Sequence, residues 1–420
     1  VSRILLTTFG SYGDLHPYLA MAQALRGAGH EVVLATHADY RDFVERAGAE
    51  FVPLRPSLAD AGPEDEWTQK ANHPRTGIEY ICRKLILPFL ESNYEVLTAA
   101  ASRCDLMLSH LLTFAAPLVA EKRRLPWISV ALQPSVFLSV ADPSAVPVWT
   151  SLPDMPKWVV RSFYWMARQM TRSWFRPVAD LRSRLGLGPG SHPIFDSFSP
   201  HGTLALFPPE FAAPQPDWPA KVQQVGFPLF DTETSPHLTE ETEAFLRDGE
   251  PPLVFTLGSS ISRMKSPFYE IAQQAARRVG RRAILLAGVR REAVLRAIGD
   301  DRTMLVAGYE PHSLVMPRAA AVIHHCGIGT TAQALASGRP QVAVAFAHDQ
   351  PDNARRIARL GVGVALPASK VTADALSRAI RMALHSDCVS RAAAFRQRLS
   401  REAFAPRLLA AVEALVPAIA

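Results

Sequence analysis

At 420 residues the chain is longer than one hydrophobic core usually serves, so two domains are expected. Its composition, 48% hydrophobic and 20% charged, is that of a soluble globular protein, and its net charge of +6 (45 Lys and Arg against 39 Asp and Glu) includes no long run of like charge, so no nucleic-acid partner is expected. Cys82, Cys104, Cys326 and Cys388 are widely spaced and form no CxxC pair, which argues against a disulfide framework or a zinc site. No apolar run reaches the roughly 18 residues of a membrane span, and residues 1–10 do not read as a signal peptide. A cytoplasmic protein is expected, with membrane contact no more than peripheral.

The apolar run 4–8, followed by Gly10 and Gly13, predicts a buried strand and its turn. Pro17 suits a first helical position, so a helix is predicted over 18–28, stopping at Gly27 and Gly29. A strand at 31–36 completes a βαβ unit and predicts a parallel sheet. Strands follow at 105–109 and 127–131, then a long loop over 133–156. The segment 157–187 reads as a helix carrying Trp158, Phe163, Tyr164, Trp165, Trp174 and Phe175. Such a stripe reads first as core packing and second as a wall for an apolar ligand. Seven prolines between 207 and 236 predict an extended linker.

A second βα series follows, with strands at 253–257, 283–287, 304–306, 320–324 and 341–345 and helices at 267–279 and 290–298. A last helix is predicted over 388–415, able to pack back on the first domain. The expected fold class is α/β, with two facing Rossmann-like domains and ligands at the carboxyl ends of their strands. The boundaries are drawn at 1–228, 229–395 and 396–420.

Three segments carry chemistry. His324-His325-Cys326-Gly327-Ile328-Gly329-Thr330-Thr331-Ala332-Gln333 runs from a strand through a glycine turn into a helix. Thr330 or Thr331 can cap that helix, its free N–H groups make a phosphate site, and His325 can donate to the same phosphates. His348-Asp349-Gln350-Pro351-Asp352-Asn353 follows the strand at 341–345, and Asp349 and Gln350 suit a polyhydroxylated ligand. The third, Gly10-Ser11-Tyr12-Gly13-Asp14-Leu15-His16-Pro17, lacks a dinucleotide G-x-G-x-x-G. Asp14 or His16 could serve there as a general base. Either could instead cap the helix, and His16 is the better cap by position, which leaves Asp14 freer for chemistry.

Together these segments resemble family 1 of the nucleotide-sugar glycosyltransferases, which have the GT-B fold. The resemblance spans the chain and is strongest from Tyr309-Glu310-Pro311-His312 through His325-Cys326-Gly327 to Asp349-Gln350-Pro351-Asp352-Asn353. Within the family, GSYGDLHP and HDQPDN look most like the bacterial rhamnosyltransferase and sterol-glucosyltransferase branch. The resemblance implies an inverting, metal-independent transferase that needs no cofactor beyond its nucleotide-sugar co-substrate. Asp14 stands at the catalytic base, with His16 beside it. On the donor side Tyr309 stacks on the nucleobase and His312 lies at its edge. His325, Gly329 and Thr330 meet the diphosphate, with Gly13, Gly327 and Ser259 alongside, and Asp349 and Gln350 hold the sugar.

One departure bears on the donor. Members using UDP-sugars often carry Glu where this chain has Gln333, and that carboxylate takes the ribose diol. A deoxyribose would leave part of it unpaired at a cost of about 1–3 kcal/mol, so Gln333 points to a dTDP-sugar such as dTDP-rhamnose. The acceptor is expected to be an apolar hydroxylated small molecule, such as a lipid, sterol or polyketide, lined by Tyr12, Phe114 and Phe137. The competing readings are a nucleotide-sugar epimerase and a non-catalytic nucleotide-sugar-binding partner protein.

Overall fold

The structure is a computed structural model of the chain that describes residues 1–231, 236–261, 266–299, 301–399 and 404–416. The first half forms a seven-stranded sheet from β1 (Arg3–Thr7), β2 (Glu31–His37), β3 (Glu50–Leu54), β4 (Leu106–His110), β5 (Trp127–Ala131), β6 (Thr203–Ala205) and β7 (Val222–Gln224), in the order β3-β2-β1-β4-β5-β6-β7. The second half forms a six-stranded sheet from β8 (Leu253–Thr256), β9 (Ala283–Leu286), β10 (Met304–Ala307), β11 (Ala321–His324), β12 (Gln341–Ala345) and β13 (Gly363–Pro367), in the order β10-β9-β8-β11-β12-β13. All pairings are parallel.

Parallel sheets are covered by helices on both faces, and β4, β5, β8, β9, β10 and β11 are accordingly buried at every residue. Alternation splits the first sheet between two cores. Ile4 and Leu6 face one, which includes Leu15 and Leu19, and Leu5 faces the other, with Val33 and Met107. In each sheet the strand order reverses beside the first strand, at β1–β4 and at β8–β11. Crevices at such reversals are where open α/β sheets hold ligands.

The edges explain the strands the sequence does not announce. β3, β7 and β13 are edge strands with partly exposed faces, and β3 and β13 contain Pro53 and Pro367, which edges tolerate. β6 is only three residues long. Between β6 and the end of the proline-rich stretch, β7 replaces part of the expected linker.

Helix boundaries differ in three places. Helix α1 spans Tyr12–Gly27 and starts earlier than Pro17 suggests, because Ser11 and Asp14 form a capping box and Pro17 lies inside the helix. The aromatic helix is broken. Helix α2 (Lys157–Thr171) ends in a 3-10 turn at Arg172–Phe175, and α3 (Arg176–Arg184) restarts with Pro177 in its first turn, where a missing N–H is harmless. In place of one terminal helix there are two, Ser386–Leu399 and Phe404–Leu415, and residues 400–403 lie outside the described residues. Leu408, Ala411, Val412 and Leu415 of the latter share a core with Ile4 and Leu19.

The remaining helices needed below are α4 (Ile328–Ser337) and α5 (Gln350–Leu360). On α5, Arg356 is buried and bonds both Asp352 (2.8 Å) and Asp142 (2.7 Å), the latter from the first half of the chain. Asp352 also accepts from the N–H of Ala145 at 3.2 Å. These bonds pin the 139–146 loop to the second half.

Candidate active site

The turn after β1 is built around Asp14. Its Oδ2 accepts from the Ser11 N–H at 2.8 Å and from the Ser11 hydroxyl at 3.3 Å. Gly10 has φ +137°, and a Cβ there would lie 2.1 Å from Asp14 Oδ2, so the carboxylate occupies space that only glycine leaves open. The Tyr40 hydroxyl donates to the Gly10 carbonyl (3.1 Å), and the Gly10 N–H donates to His37 Nε2 (3.3 Å). His37 Nδ1 in turn bonds the Pro56 carbonyl. Burial pushes Asp14 up to about 6 against the pull of the Ser11 bonds, while 29% of its side-chain surface stays open.

Opposite it, β11 runs into a turn fixed by its own side chains. His324 Nε2 bonds Gln341 Oε1 (2.9 Å) and its Nδ1 accepts the Cys326 N–H (3.2 Å). Cys326 has φ 67° and His348 φ 54°, both in the left-handed region that non-glycine residues seldom occupy. The Cys326 strain is held by Asn353, whose Nδ2 donates to the Cys326 carbonyl (2.8 Å) and to Asp349 Oδ2 (2.6 Å). The His325 ring fills the space over Gly258 and Gly327, where a Cβ would come within 2.2 Å and 2.5 Å of it. Burial pulls His325 down to about 3, so it is neutral, and its Nδ1 has no partner among the described residues.

The cap of α4 is Gly327, with no side-chain cap, so Thr330 and Thr331 lie inside the first turn and neither caps the helix. The Ile328 N–H reaches the Asp349 carboxylate, which burial raises to about 7, with the negative charge of Asp14 adding to the rise. The two strand-end carboxylates therefore sense each other across the gap between the sheets. His348 also crosses it, bonding the Ala71 backbone, and lies against Gly77.

Two family models match the chain: the glycosyltransferase family 28 N-terminal domain over residues 4–140 and the erythromycin biosynthesis protein CIII-like C-terminal domain over 278–410. The O-mycaminosyltylonolide 6-deoxyallosyltransferase of Streptomyces fradiae is 33% identical over 394 residues, which are 91% of this chain and 90% of that one. The vancomycin aglycone glucosyltransferase of Amycolatopsis orientalis is 30% identical over 399 residues, covering 93% and 92%. The chain belongs to the GT-B nucleotide-sugar glycosyltransferases. The calicheamicin glycosyltransferase CalG4 superposes with a TM-score of 0.72 at 18% identity, covering 100% of this chain and 99% of that one. VinC, solved in complex with dTDP, superposes at 0.68 with 20% identity, covering 98% and 99%; both show the same fold.

In this glycosyltransferase the residues singled out by sequence fall into two groups. Asp14, Gly13, His325, Gly327, Gly329, Thr330, Asp349 and Gln350 all follow the carboxyl ends of β1, β11 and β12. Gln350 Oε1 is already engaged by the N–H groups of Phe346 (2.8 Å) and Ala347 (3.0 Å), so it shapes its own loop. Gln333 is buried and its Nε2 donates to the Phe230 carbonyl at 3.1 Å, tying the linker to α4. His16 stacks on Tyr12 and lies 5.4 Å from the Phe230 ring, and burial together with His312 lowers it to about 4. Instead of capping a helix, as its position suggested, it faces the linker.

Tyr309 is 54% exposed, 6.4 Å from the His312 ring. Between them Glu310 is buried and accepts from the hydroxyls of Thr239 (2.6 Å) and Thr242 (2.5 Å), which fixes the segment. Ser259 lies on the helical turn Gly258–Ile261, and its side chain lies outside the described residues. Tyr12 packs on Tyr40 and Phe43. Phe114 and Phe137 are core side chains, 4% and 6% exposed. Phe137 is enclosed by Phe198, Phe207 and Trp218. Phe114 meets Phe175 edge-on and also walls a cavity of about 550 Å³ that opens beside His110.

His110 is the residue the sequence reading missed. It ends β4, beside β1 at the reversal of strand order, and its Nε2 lies 3.8 Å from Asp14 Oδ1. Burial pulls it down to about 4, so at neutral pH it faces the carboxylate uncharged. Its only signal in sequence was the end of an apolar strand. Among the described residues, no group of three or more His, Cys, Asp and Glu side chains is arranged to hold a metal ion.

Proposed function

We propose that the enzyme transfers a sugar from a dTDP-sugar, such as dTDP-rhamnose, to a hydroxyl of an apolar natural-product or lipid acceptor, with inversion and with Asp14 as general base. The observation that carries this reading is that Asp14 and Asp349 stand beyond strand ends of the two sheets, near enough for the Asp14 charge to raise Asp349, with Asp14 itself raised to about 6. Asp14 takes the acceptor proton as the hydroxyl oxygen bonds to the anomeric carbon, and the bond from that carbon to the diphosphate breaks on the opposite face. The departing charge meets the N-terminus of α4 at Gly327, Gly329 and Thr330, where the cap residue supplies no side-chain bond, with His325 as a neutral donor.

In this reading Tyr309 and His312 hold the base, and Asp349 and the amide of Gln350 hold the sugar. Gln333 uses its nitrogen on Phe230, which leaves its oxygen for the one remaining ribose hydroxyl of a deoxynucleotide. Residues 1–228 form the acceptor side and 229–395 the donor side, and within 396–420 the helix Phe404–Leu415 closes back on the first domain. The Amycolatopsis and Streptomyces relatives act, by name, on the vancomycin aglycone and on O-mycaminosyltylonolide, which supports a natural-product acceptor. Calorimetric titration with dTDP and with UDP, without added metal, tests the donor assignment. Tighter dTDP is expected, with the preference narrowed in Gln333→Glu; tighter UDP would sink the Gln333 argument, and no binding of either would sink the donor site.

A further inference from the structure

Helix α2 presents two unlike faces. Val160 and Tyr164 are buried in a small core with Leu152. On the other side Trp158 is 71% exposed, Trp165 65% and Met170 67%. Trp158 and Trp165 are seven residues apart and so lie on one line of the helix, with Met166 and Met170 on its shoulder. The opposite shoulder is basic, with Arg161 and Arg168, Arg172 follows at its C-terminal cap, and Lys157 and Arg176 stand near the two ends. Arg168 pairs with Asp196, whereas Arg161, Arg172 and Arg176 form no ion pair among the described residues. Exposed tryptophans cost solvation free energy in water, and a stripe of them beside unpaired arginines is the pattern of a helix lying in a bilayer interface.

We propose that α2 docks the enzyme on an anionic lipid bilayer, its Trp and Met side chains entering the interface and its arginines meeting lipid phosphates. The charge of the shoulder selects this occupant over a neutral apolar partner. Under the helix lies the 138–155 loop, which contributes Val146, Trp149 and Met155 to the same small core. That loop also carries Asp142 and Ala145, which bond Arg356 and Asp352 of the donor half. A docked bilayer is therefore one helix away from the loop that joins the two halves, on the acceptor side. Among the described residues no helix is long and apolar enough to cross a membrane, so attachment of this kind is at the surface.

The test is co-sedimentation of the full chain with vesicles of phosphatidylcholine alone and of phosphatidylcholine mixed with phosphatidylglycerol. Binding to the mixed vesicles is expected to exceed that to the neutral ones by about tenfold or more and to weaken with added salt. Trp158→Ser with Trp165→Ser, and separately Arg161→Glu with Arg172→Glu, should each lower it by about tenfold or more. Both variants change exposed positions, so an unaltered thermal unfolding midpoint separates lost docking from lost folding. No binding, equal binding to both vesicles, or binding that survives both variants overturns the proposal. So does a dimer in light scattering that the tryptophan variant dissociates, since a second copy would then cover the face. No donor or acceptor enters the assay, so its failure leaves the transferase reading untouched.

Discussion

Asp14 and Asp349 both follow the carboxyl end of a strand, β1 in one half and β12 in the other, yet their surroundings differ. Asp14 is held by its own turn, through the N–H and hydroxyl of Ser11. Asp349 stands at the cap of α5 without capping it and is held by the side chain of Asn353 and the N–H of Ile328 from the neighbouring loop. Burial raises both, to about 6 and about 7. At neutral pH Asp14 is therefore mostly ionised and able to accept a proton, while Asp349 is about half protonated and can donate to a sugar oxygen. On the proposed roles, the two carboxylates are buried alike and differ in the bonds that hold them and in the Asp14 charge that acts on Asp349.

The sharpest way to break this comparison is to remove each charge in turn. Asp14→Asn keeps an oxygen for the Ser11 N–H but cannot take a proton, so kcat should fall by about 10²–10⁴ while dTDP binds as before. Asp349→Ala should reduce kcat/KM for the sugar donor by roughly tenfold to a hundredfold, the cost of a lost hydrogen bond to a buried partner, and leave dTDP itself little affected. Steady-state kinetics beside dTDP calorimetry reads both. Equal losses of dTDP affinity in the two variants would show that the roles are not divided this way.

A smaller effect sharpens it. The pH profile of kcat/KM should lose activity on the acid side as Asp14 is protonated, with an apparent pKa near 6. The Asp14 charge raises Asp349, which titrates near 7 and is already mostly protonated where Asp14 titrates, so Asp349→Asn should leave that acid limb near pH 6. A limb that moves to lower pH would mean that Asp349 already carries its charge where Asp14 titrates.

How much of this was legible in the sequence follows from which signals are local. The buried central strands and the glycine turn at 325–329 announce themselves because a doubly covered sheet needs continuous apolar runs and a phosphate turn needs small residues. Edge strands such as β3 and β13 hide, since half their residues meet water and proline is tolerated there. The start of α1 was misplaced because Pro17 is a visible marker, whereas the Ser11–Asp14 box reads equally well as loop chemistry. His110 and the contact made by His348 were out of reach for a different reason: each depends on a neighbour from elsewhere in the chain, Asp14 for one and Ala71 for the other. The aromatic helix shows the limit most clearly, because a helical spacing cannot say which of its faces is covered.

The smallest expected effect is on stability, and its sign runs against the effect on activity. Asp14 has a folded-state pKa raised above its ordinary 3.8. Its contribution to stability is thus fully present below 3.8 and is lost as pH rises through about 6, where the folded protein must carry a buried charge. Asp14→Asn removes that charge and keeps the oxygen that closes the turn. At pH 8 it should therefore be more stable than the parent, by about 1–2 kcal/mol once the open part of the side chain is allowed for. Thermal unfolding across a pH series should show the gap closing on acidification toward pH 4. Asp349→Asn should behave alike, since its carboxylate is raised further. A parent that outlasts both variants at pH 8 would mean that the bonds to the carboxylates outweigh the penalty of burying their charge, and the acid limb of activity should then fall below pH 6.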